Sequence, residues 1–387
     1  MQRRCAGGRA YLVAALVTCL VLVACGAPGA RTGGAPPRSL DTPPERGAML
    51  GASSAPVAPA TTGEPAAPAP LSPPVRVRAM DARTIAHRGV YIALERGYFA
   101  EEGLEVELVP TSANPDTIAA LVTGELDFSS GGPEPIIFNA AARGVGVKIV
   151  AYNVQIGTGD LSSGFLVRKD LLDSGRYQGP QDFRGFTVAL PANGGLQHMF
   201  LERLVGRGGL TLADVQTVVL PFPETLPAFA NGAIDAAFVA DPFASIAEAQ
   251  GVAAQVAPMG DLYPGMPGNV LTISPVFAAR EPEAARRYIT AHLRGQRDYY
   301  RAIQRDEGGR DEIIQILMKY TPIQDPRLYT RLLTSPVDPN MTLDPRPLEE
   351  IRDYYLKFGT LQQRVEVSQV LDRSYADYAL QRLGRLP

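Results

Sequence analysis

Two short turns of small residues, Ser129-Ser-Gly-Gly-Pro133 and Asn193-Gly-Gly195, are the parts of this chain best suited to hold a ligand. Residues that small let backbone N–H groups approach a bound molecule. Where such a turn opens a helix, the positive end of the helix dipole favours an anion or a carbonyl oxygen. A loop that uses glycine only for its corner would read the same way. Around these turns (Ser129, Ser130, Gly131, Gly132, Asn193, Gly194 and Gly195) stand further candidates: Thr84, His87, Tyr91, Tyr152, His198, Asp241 and Phe243. His87 and His198 are two of three histidines and suit hydrogen bonding, or a core position. Zinc takes three or four protein ligands, and no metal spacing is present. Tyr91, Tyr152 and Phe243 can stack on a flat ring, although aromatic residues beside helix starts also serve cores. Asp241 precedes a proline at a helix start and reads first as an N-cap.

Other chemistries are excluded by what is missing. Gly144-Val-Gly146 lacks the third glycine of a dinucleotide loop, and there is neither a Walker lysine nor a Gly-x-Ser-x-Gly elbow. The three cysteines, Cys5, Cys19 and Cys25, all fall near the N-terminus, so the folded part has no thiolate nucleophile and no disulfide. A net charge of −3 over 387 residues gives no basic field for nucleic acid. No cofactor and no catalytic residue is expected; the pattern is that of a binding protein.

The elements that position these residues come in two copies. Ala120-Leu-Val-Thr-Gly124-Glu-Leu126-Asp127-Phe128 returns as Ala228-Phe-Ala-Asn-Gly232-Ala-Ile234-Asp235-Ala236. In each, a helix ends at a glycine and an apolar strand opens near an aspartate. A second helix then stops at Gly144 or Gly251. A helix that turns sharply into a strand ends in a left-handed residue, which glycine adopts cheaply. Asp127 and Asp235 are expected as capping or turn groups. The first half predicts strands over 75–80, 104–109, 126–129 and 147–152, with helices over 87–96, 116–123 and 133–143. The second predicts strands over 186–190, 215–220, 234–239 and 270–274, with helices over 197–205, 226–231 and 241–250. This alternation argues an α/β fold of two Rossmann-like lobes, each a parallel sheet with helices on both faces. Ligands of such sheets sit beyond the carboxyl ends of the strands. Lobe one is expected over 75–165 plus 275–387 and lobe two over 166–274, with chain crossings near 163–168 and 268–275 acting as a hinge. The helical tail after Pro282 is expected on lobe one, its arginines on solvated faces.

The N-terminus carries a different message. Arg3, Arg4 and Arg9 precede an apolar run over 10–24, which as a helix rises only ~22 Å, short for a membrane span. Residues 1–24 read as a signal peptide. Leu22-Val-Ala-Cys25 resembles a bacterial lipobox, which implies lipidation of Cys25 and a place on the extracytoplasmic face of a membrane. Residues 25–74 hold twelve of the 34 prolines and few large apolar residues, and are expected to be a disordered tether.

Gly89-Val-Tyr91-Ile-Ala-Leu94-Glu-Arg-Gly97-Tyr-Phe99-Ala-Glu-Glu-Gly103-Leu-Glu-Val106 resembles the opening of substrate-binding proteins of ABC importers for nitrate, sulfonate, taurine and thiamine-pyrimidine precursors. Gly124-Glu-Leu-Asp127, the Ser129–Pro133 turn, Gly232-Ala-Ile-Asp235 and Asp241-Pro242-Phe continue the likeness. His87-Arg-Gly89-Val-Tyr91 is similar to the His-x-Gly-x-Tyr segment of the pyrimidine-precursor branch. The tryptophan often found before that segment is missing, as is the cysteine cluster of the eukaryotic pyrimidine synthases. The resemblance implies a periplasmic-binding-protein fold of type II, with a small organic anion or heterocycle between the lobes. It also implies permease subunits as partners and a monomeric protein. A biosynthetic enzyme on the same fold and a ligand-sensing receptor subunit are the alternatives.

Overall fold

The repeated phrases build two sheets of the same design. The computed structural model describes residues 68–111 and 115–387. The expected signal segment, Cys25 and the expected tether up to residue 67 lie outside them. The first sheet contains β1 (Val75–Asp81), β2 (Leu104–Pro110), β3 (Phe128–Gly131), β4 (Lys148–Gln155) and β10 (Pro267–Ile273). The second contains β5 (Ser163–Arg168), β6 (Thr187–Leu190), β7 (Gln216–Val219), β8 (Ala236–Ala240) and β9 (Ala253–Pro258). Their orders are β2-β1-β3-β10-β4 and β7-β6-β8-β5-β9. In each sheet four strands run the same way and the fifth, β10 in the first and β5 in the second, is inserted antiparallel; β10 returns to the first sheet after the last strand of the second.

That insertion corrects the expected all-parallel sheets. It also corrects the crossings. Residues 163–168 and 267–273 are strands of the second and first sheet, so the chain passes between sheets over 156–162 and 259–266. Apolar periodicity reports that a strand is buried, not which way it runs. β9 escapes notice because Ala253-Ala-Gln-Val-Ala-Pro258 alternates only weakly.

The duplicated residues do matching work. Asp127 Oδ2 accepts from the Arg78 backbone N–H at 2.8 Å, and Asp235 Oδ2 from Thr187 N–H at 2.9 Å. Each aspartate thus ties the loop before its strand to the neighbouring parallel strand. Gly124, Gly144, Gly232 and Gly251 have φ between 67° and 76°, the left-handed helix ends their positions imply.

The tail departs from expectation. The helix Pro282–Tyr299 packs on the helix Arg88–Glu95 so closely that a Cβ on Gly295 would lie 2.1 Å from the Gly89 carbonyl oxygen. Beyond it the chain also reaches the second lobe. Lys357 pairs with Glu202 at 2.6 Å, Phe358 lies 5.1 Å from the His198 ring, and Arg331 pairs with Glu248. Nor are its arginines all solvated. Arg287, Arg297 and Arg352 are buried, and Arg297 donates to the carbonyls of Pro339, Leu383 and Gly384.

The end of the expected tether is docked. Ala69 O accepts from Arg287 Nη1 at 2.6 Å, Leu71 N–H donates to Glu102 O at 3.2 Å, and the Leu71 side chain packs on the core. A chain beginning at Ser72 leaves a buried guanidinium short of an acceptor and uncovers apolar surface. We expect it to be less stable by about 1–3 kcal/mol than one beginning at Gly63. Urea unfolding of the two chains checks this, and equal midpoints would show that the contacts of Ala69 and Leu71 add no stability.

Candidate functional site

The carboxyl ends of the parallel strands of both sheets face one cavity of about 1080 Å³. From the first sheet its wall takes Thr84 and His87 after β1, the turn Ser129–Gly132 at β3, and Asn269 at the start of β10. From the second it takes Asn193 and Gly195 after β6, and Asp241 and Phe243 after β8. A run of β-strand that ends on Ser-Ser-Gly-Gly cannot continue into a helix without a sharp turn, which leaves its backbone facing the cavity.

The first-sheet wall is polar and internally bonded. Ser130 Oγ donates to Asn269 Oδ1 at 2.6 Å, and Asn153 Nδ2 donates to Ser130 Oγ at 2.8 Å and to Asn269 Oδ1 at 3.1 Å. Gln296 Nε2 holds the Asn153 carbonyl from behind at 3.1 Å. The second-sheet wall is aromatic. Phe222 lies 6.4 Å from both Phe238 and Phe243, and Phe200 lies 6.1 Å from Phe238. A molecule between them meets hydrogen-bonding groups on one side and ring faces on the other.

Ten of the fourteen candidate residues line the cavity: Thr84, His87, Ser129, Ser130, Gly131, Gly132, Asn193, Gly195, Asp241 and Phe243. Tyr91, Tyr152, Gly194 and His198 do not. Tyr91 is fully buried, donates to Asp81 and stacks on Tyr320 at 4.6 Å. Tyr152 donates to the Asp344 carbonyl at 2.7 Å. Gly194 has φ 69° and its N–H donates to His198 Nδ1, so this pair shapes the turn instead of facing a ligand. Aromatic type and nearness to a helix start do not specify which side of the helix a ring takes.

Sequence reasoning passed over Arg88, Glu134, Asp160, Asn269, Phe200 and Phe238, all on the wall. Phe200 and Phe238 read as core residues by pattern. Asn269 belongs to the inserted strand, whose placement only the topology reveals. Arg88 is buried, donates weakly to the Ile85, Ser335 and Pro336 carbonyls at 3.3–3.5 Å, and sits over the Tyr299 ring at 4.5 Å. Asp241 Oδ1 accepts from Ser245 N–H and Oγ, the capping role its position implies. Burial pushes its pKa up to about 6, against the pull of Ser245 and Arg331.

The His87 ring is 2% exposed, with Nδ1 3.8 Å from Asp81 Oδ1. Burial lowers its pKa from 6.5 to about 4, outweighing the opposing pull of Asp81. Between those values the unfolded chain binds more protons, so the stability owed to a neutral ring is complete above pH 6.5 and lost as pH falls toward 4. The advantage of wild type over His87→Asn in urea unfolding should therefore shrink by about 1 kcal/mol per unit from pH 6.5 to 4.5. A difference constant with pH would show that the ring is not held neutral.

Comparison with known proteins fits this architecture. The family model described as NMT1-like family matches residues 82–318. A binding protein of Brucella abortus is 26% identical over 298 residues, 74% of this chain and 86% of that protein. An aliphatic sulfonates-binding protein of Bacillus subtilis is 26% identical over 309 residues, 75% and 84% of the two chains. The riboflavin-binding protein RibY of Chloroflexus aurantiacus is 25% identical over 257 residues, 65% and 70%. Among solved structures, the periplasmic nitrate-binding protein NrtA of Synechocystis superposes with a TM-score of 0.65 at 18% identity, over 82% of this chain and 90% of that one. The desulfurization enzyme DSZB superposes at 0.58 and 17%, over 80% and 99%. These structures share the two-lobed fold expected from the sequence.

Proposed function

The chain belongs to the NMT1-like family, and from that premise we propose that it is the substrate-binding component of an ABC importer. In this reading residues 1–24 are removed, lipids on Cys25 hold the protein at the outer face of a membrane, and the folded part delivers its ligand to permease subunits as a monomer. The ligand is a small organic anion or a flat heterocycle, gripped between the Ser129–Gly132 turn and Asn269 on one side and Phe222, Phe238 and Phe243 on the other. The observation that carries this reading is the cavity itself, about 1080 Å³ and walled by the strand ends of both lobes. A pocket made by two halves favours the form in which both touch the ligand, and that preference is what a receiving permease can sense. The names of the relatives support both ligand classes: one is an aliphatic sulfonates-binding protein and another a riboflavin-binding protein.

The enzyme reading has one observation in its favour, the shared fold of DSZB. Against it, every cysteine of this chain lies at or before residue 25, so the cavity offers no thiolate nucleophile. Calorimetry against a panel of sulfonates and heterocycles, followed by mass spectrometry of the recovered compound, tests the two readings together. Binding with the compound returned unchanged is expected; a consumed compound would transfer the case to the enzyme.

Two variants follow. Cys25→Ala should move the protein from the membrane to the soluble fraction, or leave an uncleaved precursor. Each buried methylene is worth ~0.8 kcal/mol, so several acyl chains anchor durably. Unchanged fractionation would remove the anchor from the proposal. Phe243→Ala should weaken a ring-bearing ligand by about 1–2 kcal/mol, read by calorimetry, with the fold's melting temperature little changed. Undiminished affinity would move the ring site away from this wall.

A further inference from the structure

Glu134 follows the Ser129–Pro133 turn of the first lobe, and its carboxylate reaches across to a turn of the second. A Cβ built on Gly195 would stand 2.6 Å from Glu134 Oε2, and one on Gly132 would stand 2.7 Å from Oε1. The side chain is thus wedged between the two glycine turns, one from each lobe. Gly195 is the N-cap of the eleven-residue helix Leu196–Gly206, and no side chain of its own caps that end. The nearby Leu196 backbone N–H and Gln197 side chain favour the charged carboxylate, against a burial that raises its pKa. Free N–H groups at a helix start are where a ligand's oxyanion would settle. Here the chain's own carboxylate takes that place.

Beyond the Ser129–Gly132 turn, whose two hydroxyls already donate to Met80 Sδ and Asn269 Oδ1, the wall offers an anion little. Asp160 and Asp241 add two more carboxyl groups to the cavity. Asp160 Oδ1 accepts from Ser162 N–H and Ser335 Oγ, and Asp241 Oδ2 has no hydrogen-bond partner, with Arg331 Nε 3.8 Å away. The two cations on the wall are Arg88, whose Nη atoms face three carbonyls, and Arg143, which is exposed. The rings of Phe200, Phe222, Phe238 and Phe243 line the same cavity. An entering oxyanion would meet like charge at the helix start and gain little elsewhere, whereas a ring gains apolar contact on the aromatic wall.

Resting on the reading of this cavity as the ligand site, we propose that the cleft selects flat, ring-bearing molecules without net negative charge, because Glu134 occupies the helix start that a ligand's oxyanion would use. Glu134 is then the residue that sets charge selectivity, and removing it should open the site to anions.

The test uses the chain from Gly63, its Glu134→Ala and Glu134→Gln variants, and matched probes: riboflavin against flavin mononucleotide, and benzamide against benzenesulfonate. Circular dichroism melting first establishes that each variant is folded, with Glu134→Gln keeping the side chain's size. Calorimetry at low ionic strength is expected to show wild type binding any anionic member at least tenfold more weakly than its uncharged partner. Benzenesulfonate should bind Glu134→Ala at least tenfold more tightly than wild type, with Glu134→Gln between the two. Equal or tighter anion binding by wild type, or no gain in either folded variant, overturns the proposal. A protein that prefers benzenesulfonate keeps its place as a binding protein and loses only this selectivity. If no probe binds any of the three proteins, the gain is absent and this inference falls, while the importer reading is judged on the wider panel and on Cys25.

Discussion

The return of β10 to the first sheet is the constraint from which the rest of the molecule follows. β10 completes the first sheet between β3 and β4, and β5 completes the second between β8 and β9. Each inserted strand is hydrogen-bonded on both edges, and while the second sheet is one continuous run from β5 to β9, the first is whole only when β10 returns to it from beyond that run. Two connectors therefore tie the lobes side by side, and both sets of parallel strand ends are held around a common space. The cavity is a consequence of that wiring. Its polar wall depends on the same return, since Asn269 reaches Ser130 and Asn153 only because β10 runs back between their strands.

Burial organises the first lobe behind the cavity. The helix Arg88–Glu95 meets the helix Pro282–Tyr299 at Gly89 and Gly295, where backbone lies against backbone. That approach brings His292 and Gln296 under the cleft floor. The His292 ring is fully buried, and burial with the nearby His87 and Arg88 lowers its pKa to about 3. A neutral ring in that place keeps charge away from the polar wall, and Gln296 hands a hydrogen bond to the Asn153 carbonyl. The tail is thus a structural floor for the site as much as a C-terminal appendage.

Much of this was legible in the residues. Helix-ending glycines and the paired aspartates announced the duplication, because a left-handed turn and a strand-capping carboxylate each admit few residue types. The small-residue turns at Ser129–Gly132 and Asn193–Gly195 pointed to the cavity for the same reason. Strand direction was not legible, since β5 and β10 are apolar segments whose orientation is decided by partners far along the chain. Glu134 was illegible in another way. An acid just before a helix reads as an ordinary partner of that helix's own N-terminus, and nothing local says that it serves the helix of the opposite lobe. Tyr91, Tyr152 and His198 misled because each finds a hydrogen-bond partner away from the cavity, which residue type alone does not disclose.

The C-terminal segment touches the second lobe through charged pairs that differ in setting. Lys357 and Glu202 are largely in water, with side-chain exposures of 68% and 36%, while Arg331, at 23%, holds Glu248 and Gln255 together. Any rotation of one sheet against the other must carry these contacts along or part them. An exposed pair is screened by dissolved ions over a Debye length of ~8 Å at physiological strength, and a half-buried one much less. The Lys357–Glu202 link is therefore the first of these to weaken as the salinity of the surrounding medium rises, and the half-buried grip of Arg331 outlasts it.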